Sequence, residues 1–110
     1  MSGKPDINEI LQLETNVVQV LKTIYDPEIP VNIYDLGLIY DIDINDDKGV
    51  DIRMTLTAPN CPMADQIIME VQEKTAAVDG IAGSNVNLVF DPPWDQNMMT
   101  EEAKLELGML

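Results

Sequence analysis

The chain has 110 residues, with 20 acidic against 6 basic side chains and a net charge of −14. This length supports one hydrophobic core, since two would each have too little chain to bury. The charge excludes sequence-independent nucleic-acid binding, which needs Lys and Arg to neutralise phosphates, and also docking on an anionic membrane surface.

There is no histidine and a single cysteine, Cys61. Neither a Ser-His-Asp or Cys-His relay nor an intrachain disulfide can therefore form within the chain. A lone cysteine fits a reducing compartment. The first ten residues hold no apolar run, and no stretch approaches the roughly 20 apolar residues of a membrane helix. The expectation is a soluble, acidic, cytoplasmic protein. Residues 1–8 read as a flexible N-terminal tail and 9–110 as a single domain. Aromatic residues make up 5 % of the chain, so its core must be aliphatic and Met-rich.

From about Asn8 to Tyr25, Ile10, Leu11, Val17, Val18, Leu21 and Ile24 fall at helical spacing. Asp26-Pro27 ends that helix, because a residue before proline is pushed out of the α region. DPEIPVNIYDLG follows as an irregular segment whose turn chemistry marks an ordered functional loop or a rigid connector. Next come two alternating segments. Leu38, Tyr40, Ile42 and Ile44 form one apolar face, and Val50, Ile52, Met54 and Leu56 the other, with Asn45 to Gly49 as the turn of an antiparallel hairpin.

A second helix is expected from about Pro62 to Val78, with Ile67, Ile68, Val71, Thr75 and Val78 on one face, broken by Asp79-Gly80 and Gly83. A third strand covers about Asn85 to Phe90, with Val86, Leu88 and Phe90 inward. DPPWD makes a second stiff loop. Thr100 is placed to N-cap a last short helix, with Glu101 and Glu102 in its positive first turn and Gly108 as the stop. The order α-β-β-α-β-α implies an α/β (α+β) two-layer sandwich. Its small three-stranded sheet is mixed, with strands two and three parallel across the second helix and the helices on one face.

Cys61 lies in TAPNCPMAD, between strand two and helix two. With Pro62 as the first helical residue, Cys61 is the N-cap, facing free backbone amides. The helix dipole favours an anion there by about 0.3–1 kcal/mol when exposed, a weak activation that Asp65, one turn in, opposes. The competing reading is a small buried hydrophobe. Zinc and iron–sulfur sites usually take four ligands, mostly Cys and His. One cysteine is thus an incomplete metal site, suited to transient carriage of iron or a cluster completed by another molecule.

Asp41-x-Asp43-x-Asn45 opens like a calcium loop but fails at Asp46, where glycine is needed, and at Ile52, where glutamate is needed. Strand residues running into a turn explain it better. Asp26, Glu28 and Asp35 crowd acids into the first loop, as general acid–base or hard-metal groups or as turn caps. Trp94, the only tryptophan, is either core packing against a helix end or a partner-binding surface. Met98-Met99 reads as an adaptable apolar contact.

LKTIYDPEIPVNIYDLGLIYDI, MTLTAPNCPMA and LVFDPPWDQNMMTEEAKLELG, in that order, resemble the PaaD/SufT-like family of metal–sulfur cluster assembly proteins, most closely its SufT branch. DPEIP with a downstream T-x-x-x-CP is specific as a pair. The resemblance implies a small α/β fold and a cleft around the cysteine, in a protein that matures iron–sulfur proteins alongside the SUF machinery. It makes Cys61 the functional thiol, contacting iron, a cluster or a partner's persulfide. By that likeness Asp26, Glu28, Asp35, Thr55, Thr57, Asp91 and Trp94 belong to the cleft, and Pro92 and Pro93 match its second loop.

The implied partners are SUF assembly proteins and apo iron–sulfur clients, with no cofactor permanently bound. A homo-oligomer is left open by an uncovered sheet face and a Met-rich end. Two other readings stand beside this one. One is an adaptor for a specific oxygenase, as in the PaaD branch, which the lack of further cysteines opposes. The other is an independent thiol enzyme, for which the chain supplies no histidine base.

Overall fold

The computed structural model describes residues 6–26, 29–57 and 64–108. Helix α1 spans Ile7–Leu21 and packs Leu13, Val17 and Leu21 inward at steps of four. It starts at Ile7, inside the stretch expected as tail, because the Asp6 carboxylate caps it by accepting from Glu9 N–H at 2.8 Å. It stops four residues short of the expected Tyr25. Thr23 and Ile24 N–H tighten onto the carbonyls of Val20 and Leu21, and Ile24 turns into the core while Tyr25 bridges to Asn32. Leu11, assigned to the apolar stripe, is instead 52 % exposed. Leu13 takes that place, because the buried face advances by whole turns from Val17.

Strand β1 (Ile39–Ile44) and strand β2 (Gly49–Met54) form the expected antiparallel hairpin. Asn45 holds its turn, the side-chain oxygen accepting from the Asp47 and Gly49 amides at 2.9 and 3.0 Å. This is a turn cap at the end of a strand, the alternative favoured over a calcium loop. One register shift departs from the alternation: Ile39 opposes Met54 and Asp41 opposes Arg53, leaving Tyr40 as an extra, bulged residue. Tyr40 is therefore not part of the inner face that Ile42 and Ile44 build.

Helix α2 (Ala64–Ala76) buries Ile67, Val71 and Thr75; the expected start at Pro62 lies outside the described residues. Strand β3 (Gly83–Leu88) runs parallel to β2, giving the order β1-β2-β3. It begins two residues earlier than expected. The ladder starts where Gly83 meets Gly49, and the chain leaves it after Val89 N–H donates to Met54 O. Phe90 thus falls beyond the sheet and is 44 % exposed rather than inward.

A 3-10 turn (Gln96–Met98) leads to helix α3 (Glu101–Glu106). Thr100 caps α3, accepting from Ala103 N–H, and Gly108, at φ +73°, ends it. Ile44, Val50, Ile52 and Met54 are buried against α1 and α2, whereas Asp41, Asp43, Arg53, Asn85 and Asn87 are exposed. One apolar and one polar sheet face make the two-layer α+β sandwich.

Candidate functional site

The hairpin is antiparallel and the crossover through α2 is parallel. The start of β1, the end of β2 and the end of β3 therefore meet at one sheet edge. Two backbone bonds define it: Thr55 N–H donates to Leu38 O, and Val89 N–H to Met54 O, each at 2.8 Å. The first loop precedes β1, and hydrophobic periodicity alone does not say to which end of the sheet it comes. Antiparallel pairing brings it to the edge where DPPWD leaves β3.

Two side-chain hydrogen bonds and one between backbones tie the two loops and their flanks together. Trp94 Nε1–H donates to Leu36 O at 2.7 Å, Tyr40 O–H donates to Pro92 O at 2.7 Å, and Thr100 N–H donates to Asp35 O at 2.9 Å. Gly37, at φ +82°, lies against the Met98 backbone, where no Cβ would fit. Val31, Ile33, Leu36 and Leu38 are all buried, so the first loop is itself part of the core.

Of the expected site residues, Asp26 is 7 % exposed and Asp35 half-buried. Asp35 accepts from Asn32 Nδ2 at 2.9 Å, while its own N–H donates to Asn32 Oδ1 at 2.8 Å, an arrangement that caps the turn. Thr55 is fully buried, and its Oγ1 has no hydrogen-bond partner among the described residues. Thr57 is half-buried, Asp91 exposed and Trp94 half-buried. Cys61 and Glu28, with the expected N-cap geometry, lie outside the described residues. The segment bearing Cys61 connects the end of β2 at this edge to the start of α2.

Asp35 and Pro92 line separate cavities. Asp35 borders one of about 190 Å³ with Tyr25, Asn32, Glu102 and Glu106. Pro92 borders a shallow one of about 460 Å³ with Ile39, Tyr40, Arg53 and Met98. Tyr40, Glu106 and Arg53 were not singled out in sequence. Tyr40 reaches the second loop through a bulge that alternation does not reveal, and Glu106 comes to line the same cavity as Asp35 through the placement of α3. Among the described residues no group of three or more His, Cys, Asp or Glu side chains is arranged to hold a metal ion, and no helix is long and apolar enough to cross a membrane.

A two-layer α+β domain with a short mixed sheet and two interlocked loops at one edge is the class that this geometry defines. The chain belongs to the iron-sulfur cluster assembly protein family, which matches residues 14–88. It is 56 % identical over 103 residues to the "Fe-S protein maturation auxiliary factor" of Porphyromonas gingivalis, covering 94 % of this chain and 98 % of that one. It is 40 % identical over 86 residues to the "Fe-S protein maturation auxiliary factor SufT" of Staphylococcus aureus, covering 78 % and 98 %. The fold matches the crystal structure of a "Domain of Unknown Function DUF59" from Bacillus anthracis, with a TM-score of 0.84 and 35 % identity over 91 % of this chain and 95 % of that one.

Proposed function

We propose that this protein is an auxiliary factor in the assembly and maturation of iron–sulfur proteins, with Cys61 as the thiol that contacts the cargo. The near full-length likeness to the Porphyromonas gingivalis maturation factor carries this reading. The topology supports the role of Cys61. Its segment starts at the sheet edge where the two proline-bearing loops are tied together, and ligands of open α/β sheets sit at such strand ends. One thiol supplies one of about four cluster ligands, so the cluster or iron is passing cargo and the other ligands come from a donor or client. SUF assembly proteins in the cytoplasm are the proposed donors, and apo iron–sulfur proteins the recipients.

The test is a strain carrying Cys61→Ser, assayed for several unrelated iron–sulfur enzymes alongside the level of the variant protein. Broad loss of those activities at normal protein level is expected. Full activity of all of them removes Cys61 from the reading, and loss confined to one oxygenase replaces it with a dedicated adaptor. Anaerobic pull-downs with and without Cys61, followed by iron and sulfide analysis, identify the cargo.

A further inference from the structure

Strand β3 is the only strand of the sheet with no charged side chain, and the uncharged run extends from Gly80 to Phe90 in a chain that is 24 % charged. β2 occupies the middle of the sheet, so among the described residues β3 is paired on one side only. Val89 N–H donates to Met54 O, and by the alternation of a parallel ladder Asn85 and Asn87 turn their backbone groups to β2. Those of Ser84, Val86 and Leu88 point outward. Among the described residues no hydrogen bond reaches these outward groups. The opposite edge differs: β1 presents exposed Asp41 and Asp43, which would oppose carboxylates if two such edges met.

We propose that the free edge of β3 pairs with β3 of a second copy of this chain, antiparallel about a two-fold axis at Val86, joining the two sheets. In that register Ser84 faces the partner's Leu88, and Asn85 faces the partner's Asn87. A two-fold interface must be self-complementary, and this strand is. The Asn amides both donate and accept on the polar face, while on the other face, half-buried beneath the helices, Val86 meets its counterpart and Leu88 lies against the partner's Ser84. Two molecules of charge −14 repel at a distance. An uncharged segment lets them touch without placing like charges in contact. Salt screens that repulsion, so self-association strengthens as ionic strength rises.

Sedimentation equilibrium of the full chain, over a concentration series at low and high salt, should show the mass moving from 12.2 kDa towards twice that value, further at high salt. Asn85→Lys with Asn87→Lys sets lysines opposite one another and should weaken association about tenfold or more, roughly 1.4 kcal/mol. Asn85→Lys with Asn87→Asp sets opposite charges across the axis and should tighten it. Far-UV circular dichroism confirms folding. A monomer at every concentration and salt overturns the proposal and leaves the edge to another protein. Equal shifts in the two double variants also overturn it. Should the double-lysine variant unfold, the Lys/Asp pair decides, and association no tighter than the native value refutes the register.

Discussion

Gly37→Ala probes whether the two loops of the sheet edge are as closely joined as the geometry requires. Gly37 has φ +82°, and a Cβ there would lie 2.7 Å from the Met98 carbonyl carbon and 2.9 Å from Met98 Cβ. Left-handed backbone costs a non-glycine residue about 1–2 kcal/mol. Since Met98 meets the new methyl with backbone, the second loop must also move. That movement loads the Trp94–Leu36 and Thr100–Asp35 bonds, each with a net worth of about 1 kcal/mol. A total loss of about 2–4 kcal/mol follows. In urea, with an m-value near 2 kcal/mol/M, the midpoint should fall by about 1–2 M.

Two glycines serve as controls. Gly108 has φ +73° but no described residue within 4 Å of a Cβ, so Gly108→Ala should show only the conformational cost. Gly83 has neither constraint, and Gly83→Ala should stay within about 0.5 kcal/mol of the native protein. The assay is far-UV circular dichroism through a urea series. If Gly37→Ala loses no more than Gly108→Ala, the close approach of the loops is wrong.

Trp94→Phe keeps an aromatic ring but removes the donor to Leu36 O; it should cost about 1–2 kcal/mol, and an unchanged thermal midpoint would count against that bond. Thr55→Val replaces a buried hydroxyl, without a partner among the described residues, with a methyl and should raise stability by about 1 kcal/mol; a fall would show that the hydroxyl has a partner in the folded chain. Glu9→Gln breaks the 2.8 Å pair with Lys48, whose side chains are both more than a third exposed, and should change the urea midpoint by no more than about 0.5 kcal/mol in equivalent stability. Binding of a basic partner should weaken as salt rises, opposite in sign to self-association, because the net charge of −14 attracts one and repels the other; titration calorimetry at two ionic strengths separates them.

Patterns that depend on near neighbours were legible in the sequence. Val50, Ile52 and Met54 alternate and all three are buried, Ile67, Val71 and Thr75 recur at helical spacing and pack inward, and the Thr100 cap and Gly108 stop of α3 stand where their chemistry placed them. Each reflects the period of one element or the hydrogen-bonding of one terminus, which a few consecutive residues contain. The −14 charge, the single thiol and the absence of histidine likewise needed no coordinates to bound the chemistry.

Tertiary structure decided what depends on residues far apart in the chain. The bulge at Tyr40 interrupts the alternation, and its hydroxyl reaches Pro92, 52 residues on; Glu106 comes to line one cavity with Asp35 only through the placement of α3. Asp35 could be read from its neighbours either as a reactive carboxylate or as a turn cap; in the fold Asn32 caps the turn by accepting from Asp35 N–H, and the Asp35 carboxylate accepts from Asn32 Nδ2 in return. The sheet edge itself follows from strand order and direction, which are properties of pairing: local chain chemistry specifies an element, but long-range hydrogen bonds and packing specify which ends come together.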